Sequence, residues 1–93
     1  MSRVPCELVL TPPAQRALTD GLPEPVAVAV IAFLTTALVD NPMRVGKPLR
    51  DDLKGVWSAR RGTYRVLYRV RDEPREVVVL RIDHRRDAFR PLA

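Results

Sequence analysis

The stretch WSARRGTYRVLYRVR, residues 57–71, decides the fold. Gly62-Thr63 divides it into two runs. Beyond that turn, Tyr64, Val66, Tyr68 and Val70 fall on one parity, and Arg65, Leu67, Arg69 and Arg71 fall on the other. Successive strand side chains point to opposite sheet faces. The pattern therefore predicts a strand with one apolar face on a core and one arginine-bearing face turned outward. Before the turn, Val56, Ser58 and Arg60 share one parity, and Trp57, Ala59 and Arg61 share the other. A short turn between consecutive strands makes an antiparallel hairpin. A second turn near Asp72-Glu73-Pro74 leads into EVVVLRID, residues 76–83. This last strand offers Val78, Leu80 and Ile82 as its core-facing set, with Val77, Val79, Arg81, Asp83 and Arg85 opposite.

Outward from the hairpins, CELVLT at residues 6–11 predicts a short strand stopped by Pro12-Pro13. PPAQRALTDGL then supplies a short helical turn or two, with Gly21 as its stop. PEPVAVAVIAFLTTALVDNP, residues 23–42, is the main helix. Pro25 suits a first turn, Glu24 complements the helix dipole there, and Asp40-Asn41-Pro42 ends the element. Its apolar stripe is Val30, Phe33, Leu34, Ala37 and Leu38, with Val28, Ile31 and Val39 partly off it. A helix apolar on several sides is covered by more than one neighbour. Either the first helix or another molecule covers it here. NPMRVGKPLRDDLKG, residues 41–55, is a polar connection. The expected order is β-α-α-β-β-β: an α+β fold with a small, mostly antiparallel twisted sheet and two N-terminal helices packed on one face. Residues 1–93 are expected to form a single domain.

Composition narrows the function classes. Cys6 is the only cysteine and His84 the only histidine, so neither an internal disulfide nor a conventional structural zinc site can form. No cofactor and no metal are expected. The N-terminus lacks the apolar core of a signal peptide, and the apolar run Val26–Val39 is too short to span a bilayer. A cytoplasmic protein that makes no membrane contact is expected. The charge is divided unevenly. Residues 1–43 carry two Lys/Arg against four Asp/Glu, a net −2, and residues 44–93 carry fourteen against seven, a net +7. A field of one sign gathered in one half favours a polyanion or an acidic partner.

The open sheet face is expected to carry Leu67, Val77 and Val79 beside Arg65, Arg69, Arg81 and Arg85. Whether Arg60 or Arg61 joins them depends on a strand register that the sequence leaves open. Arginine suits phosphate there, because its guanidinium is planar, stays charged and donates two bonds at once. The competing reading pairs these arginines with Asp83, Asp72 or Glu76 across strands, each pair contributing little.

The stretch GKPLRDDLKGVWSARRGTYRVLYRV, residues 46–70, followed by VVVLRIDHRRDAFR, residues 77–90, resembles the RelE branch of the RelE/ParE toxin superfamily. The resemblance implies a type II toxin restrained by a RelB-like antitoxin in a hetero-oligomer. It also implies a ribosome-dependent endoribonuclease that cuts mRNA in the A site and inhibits translation. In that chemistry the 2′-hydroxyl attacks the adjacent phosphate without a metal and leaves a 2′,3′-cyclic phosphate. The resemblance gives Arg65 in GTYR the role of stabilising the transition state. Arg85 in DHRR is the second catalytic arginine, with Arg86 as its close alternative. Arg60 and Arg61 stand near the basic positions of the preceding strand. Lys47, Arg50 and Lys54 are implied phosphate contacts to mRNA or ribosomal RNA. Phe89 stands where many relatives have a catalytic tyrosine. It can stack on a base but cannot transfer a proton. His84, whose ordinary pKa lies near neutrality, is a further candidate, although its parity turns it toward the helices. The same fold also hosts ParE-like inhibitors of DNA gyrase, and a toxin without activity can persist as a co-repressor with its antitoxin.

Overall fold

A computed structural model describes residues 6–50 and 53–84. Strand β1 (Glu7–Leu10) leads into helix α1 (Pro12–Arg16), which widens into a π-type turn over Ala17–Gly21. Helix α2 (Glu24–Phe33) continues through a second π-wound segment, Leu34–Leu38, and a short α3 (Pro42–Val45) follows. The Thr35 and Thr36 hydroxyls donate to the carbonyls of Ile31 and Ala32, at 2.8 and 2.5 Å. Back-bonding of this kind competes with the backbone ladder and loosens a helix where it occurs. The remaining elements are β2 (Lys47–Pro48), β3 (Trp57–Arg61), β4 (Tyr64–Arg71) and β5 (Glu76–His84).

The five strands lie in the order β1-β5-β4-β3-β2. β1 runs parallel to β5, and the other pairs are antiparallel. The order is the predicted α+β one, with two additions inside the polar connection: the turn α3 and the two-residue edge strand β2. The helices cover one face of the sheet. Val30, Phe33, Leu34 and Leu38 of the long helix and Ala14 of α1 form one core with Tyr64, Val66, Tyr68, Val77, Val79 and Ile82. Burying a leucine such as Leu34 contributes about 1.5–3 kcal/mol. Val28 and Ile31 remain exposed, at 61% and 46%.

The face predicted for β5 is corrected by a bulge. Tyr68 opposes Val79 but Leu67 opposes Arg81, so Leu80 is the extra residue. Val77 and Val79 are fully buried with Ile82, whereas Val78 and Leu80 are not. A regular ladder continued from the Arg71–Glu76 pair would have carried Arg81 and Asp83 onto the core face beside Val77 and Val79. The extra residue changes the parity midway, so that Val77, Val79 and Ile82 face the helices and both charged residues face outward. From the β1 side Thr11 bonds the same stretch: its N–H reaches the Val79 carbonyl at 3.1 Å and its hydroxyl the Val79 and Leu80 carbonyls, each at 2.9 Å.

Two close approaches fix the helix-side end of the sheet. The Tyr68 hydroxyl, fully buried, donates to the Pro42 carbonyl at 2.5 Å. A Cβ on residue 46 would collide with Tyr68 Oη and lie 2.8 Å from the Ser58 carbonyl, so only glycine fits. Gly62 turns the β3–β4 hairpin with φ +56°, in the left-handed region that glycine enters without steric cost.

Candidate functional site

The open face is built by register. In the β3–β4 ladder Arg61 opposes Tyr64, Arg60 opposes Arg65, Ser58 opposes Leu67 and Trp57 opposes Tyr68. Cross-strand partners share a face. Arg60 and Arg65 therefore stand side by side on the open face, and Arg61 does not join them. Arg61 lies instead on the helix side, its guanidinium 4.9 Å from the centre of the Phe33 ring. That ring meets Tyr64 edge-on at 6.3 Å. Lys47 of β2 opposes Ser58 and extends the open face toward the sheet edge. Arg50 and Lys54 are exposed on the loop between β2 and β3. That loop is closed by bonds from Leu49 N to the Val56 carbonyl at 2.8 Å and from Val56 N to the Leu53 carbonyl at 3.0 Å.

Across β5 the same face continues. Arg65 opposes Asp83, Leu67 opposes Arg81, Arg69 opposes Val78 and Arg71 opposes Glu76. The apolar members are Leu67 and Val56, both 5% exposed, with Val78 beside them. Val77 and Val79, expected here, belong to the core. Arg69 packs its guanidinium toward Gly55, where a Cβ would come within 3.0 Å.

The cross-strand carboxylate pairing anticipated as a competing reading does occur. Asp83, 5% exposed, accepts from Arg81 Nε at 2.6 Å and from Arg65 Nη2 at 3.3 Å. Arg71 and Glu76 approach to 3.8 Å. Arg60 makes no ion pair among the described residues. Like charges placed directly opposite each other destabilise a sheet. Arg60 beside Arg65 therefore concentrates positive charge on this face, and Asp83 alone does not neutralise it.

His84 opposes Tyr64 on the helix side, as its parity predicted, and so lies across the sheet from Arg65. Burial raises the Tyr64 pKa above its ordinary value, and the nearby Arg61 charge partly offsets this. Burial pushes the Tyr68 phenol up to about 12. Neither group shares the open face with Arg60 and Arg65. Arg85, Arg86 and Phe89 lie outside the described residues. Among the described residues, no cluster of three or more His, Cys, Asp or Glu side chains could hold a metal, and no helix is long and apolar enough to cross a membrane. Residue patterning had marked Arg81 and Asp83 for this face but not their mutual bond. The bulge that brings Asp83 opposite Arg65 carries no glycine or proline signal.

A sheet backed by helices on one side and carrying an arginine pair on the other defines a small α+β domain with a basic open face. The family profile described as "ParE toxin of type II toxin-antitoxin system, parDE" matches residues 8–89. The chain is 49% identical over 87 residues to Toxin RelG of Mycobacterium tuberculosis, covering 94% of this chain and 99% of that one. It is 43% identical over 86 residues to Toxin RelE of the same organism, covering 92% and 88% respectively. A chain of the crystallised toxin–antitoxin complex RelBE2 of M. tuberculosis superposes with a TM-score of 0.85 at 51% identity, over 88% of this chain and 100% of that one. A solution structure of HP0894 from Helicobacter pylori shares the fold, with a TM-score of 0.67 at 21% identity. The chain belongs to the ParE toxin family, as a RelE-like toxin of a type II toxin–antitoxin system.

Proposed function

We propose that this toxin is a ribosome-dependent endoribonuclease that cuts mRNA in the A site, with the open sheet face as its reactive surface. The observation that carries the reading is the Arg60–Arg65 pair, set side by side on that face with no carboxylate assigned to Arg60. In the reaction the RNA 2′-oxygen bonds to the adjacent phosphorus and the bond to the 5′-oxygen breaks. A 2′,3′-cyclic phosphate and a free 5′-hydroxyl result. The pentacoordinate phosphorane carries extra negative charge on its equatorial oxygens. Fixed guanidiniums aimed at those oxygens stabilise it more than the ground state. Arg65 is the chief such group and Arg60 its neighbour. Lys47, Arg50 and Lys54 hold flanking phosphates of the message or of ribosomal RNA. Arg61 and His84 are not assigned to the chemistry, because both face the helices. Arg85 and Arg86 keep the roles that the family resemblance gives them, and Phe89 that of stacking on a base.

The partner that restrains the toxin is a RelB-like antitoxin in a hetero-oligomer, in a cytoplasmic setting. The close similarity to a chain of the RelBE2 complex supports this. So do exposed Val28 and Ile31, which offer an amphipathic helix an apolar seat, and the +7 half, which suits an acidic segment.

Expressing the chain without antitoxin tests the reading. Mapping of mRNA 5′ ends in the arrested cells is expected to give cuts phased with ribosomes. Intact mRNA together with inhibited gyrase supercoiling by the purified protein would overturn it.

A further inference from the structure

Asp83 is the buried charged residue of the described chain, and its surroundings are asymmetric. One carboxylate oxygen takes a short bond from Arg81 Nε at 2.6 Å, and the other takes a long one from Arg65 Nη2 at 3.3 Å. The first is a strong charge-assisted bond, and the second lies at the outer limit for N–H···O. A buried carboxylate must be paired, because an uncompensated charge in that setting is strongly destabilising. Arg81 meets that need. Arg65 then touches Asp83 through one terminal nitrogen and keeps its remaining donors of the five for another acceptor. In charge terms Arg81 offsets Asp83, while Arg65 and Arg60 stay positive.

A backbone irregularity brings the two residues together. A regular β4–β5 ladder would place Ile82 opposite Arg65, and the single extra residue at Leu80 places Asp83 there instead. Thr11 braces the bulge through the Val79 and Leu80 carbonyls. An ordinary surface ion pair would need neither a bulge nor a buried carboxylate.

We propose that Asp83 is a positioning residue for Arg65, holding its guanidinium in place for an RNA phosphate while leaving its charge uncompensated. The inference rests on the ribonuclease reading above. It predicts an unusual signature for Asp83→Asn. The substitution raises the local charge by one, so RNA binding does not weaken, but Arg65 loses its orientation. A misplaced reacting group slows catalysis by about 10- to 100-fold. The expected result with mRNA-programmed ribosomes is a fall in kcat of that size with KM unchanged or lower, and partial rescue by Asp83→Glu. A general loss of structure would raise KM and lower the melting temperature together.

The deciding experiment adds a readout that does not depend on cleavage. Nitrogen-15 NMR of the guanidinium groups in the wild-type protein is expected to show Arg65 ordered and exposed Arg44 mobile, with the order lost in Asp83→Asn. An Arg65 guanidinium as mobile as Arg44 in the wild type overturns the proposal, even if the variant does not fold. So does a variant that cuts at the wild-type kcat. Failure of the wild type to cut mRNA removes the ribonuclease reading alone, and the guanidinium spectra still decide whether Asp83 positions Arg65.

Discussion

Replacing Tyr68 by phenylalanine and Gly46 by alanine, singly and together, tests how the chain is locked at the helix-side end of the sheet. Tyr68 is fully buried and its hydroxyl donates to the Pro42 carbonyl at 2.5 Å. Tyr68→Phe removes that donor, at a cost of about 1–3 kcal/mol. For a domain of this size each kcal/mol lowers Tm by about 4–8 °C. Gly46→Ala drives a methyl into Tyr68 Oη and puts it 2.8 Å from the Ser58 carbonyl and 3.1 Å from Tyr68 Cζ. Overpacking of that kind costs about 1–3 kcal/mol. The shortest of the three contacts is to the atom that Tyr68→Phe deletes. The double variant therefore loses less than the sum of the singles, by about 1 kcal/mol, because directly touching groups do not add. Urea unfolding of the four proteins at neutral pH measures this, with an unchanged m-value showing that the states compared are alike. Additivity to within about 0.5 kcal/mol would refute the reasoning, since that is the behaviour of distant sites.

Two further outcomes follow from the same geometry. Tyr68 titrates near 10.0 in the unfolded chain and is pushed up to about 12 when folded, so its contribution is fully present below pH 10. That contribution is lost as the pH rises toward 12, because the unfolded phenol ionises first. Chemical denaturation across this range is expected to show a steep alkaline fall that Tyr68→Phe flattens, and an identical fall in the variant would contradict it. Gly62 has φ +56° and open space where a Cβ would stand, so Gly62→Ala meets only the backbone penalty, about 1–2 kcal/mol. Gly62→Asn should lose less in a thermal melt, and an alanine variant melting at the wild-type temperature would remove the left-handed turn from the account.

The hairpins and the long helix were legible because their signals are local. Gly62-Thr63 and the segment near Pro74 punctuate strongly alternating runs, and Pro25 and Asp40-Asn41-Pro42 bracket an apolar periodic segment. The choice between Arg60 and Arg61 was left open, and the turn seen in the structure settles it. A two-residue turn at Gly62-Thr63 forces Arg61 opposite Tyr64 and hence Arg60 opposite Arg65, so turn length carried the register. The face of β5 was not legible. Val77, Val78, Val79 and Leu80 are apolar on both parities, and alternation says nothing in such a run. The bulge resolves the conflict by long-range demand: the core takes Val77, Val79 and Ile82, while Arg81 and Asp83 need the open face. Strand β2 escaped notice because two residues, Lys47 and Pro48, are too few for any periodicity. Gly46 lay unmarked within the polar connection, because its role is set by Tyr68, distant in sequence and close only after folding.

The most direct test of the account compares three single variants in a purified translation reaction with ribosomes and a defined message. Register places Arg60 and Arg65 together on the open face and Arg61 over Phe33 on the other. Removing a group that stabilises transition-state charge costs about 100- to 1,000-fold in rate. Arg65→Ala and Arg60→Ala are therefore expected to slow single-turnover cleavage strongly while antitoxin binding survives, with the larger loss at Arg65. Arg61→Ala is expected to cleave near the wild-type rate and to lose only about 0.5–1 kcal/mol of stability, the usual size of an exposed cation–π contact. An Arg61→Ala protein as impaired as Arg60→Ala, or an Arg65→Ala protein that cuts at full rate, would contradict the assignment of the chemistry to the open face.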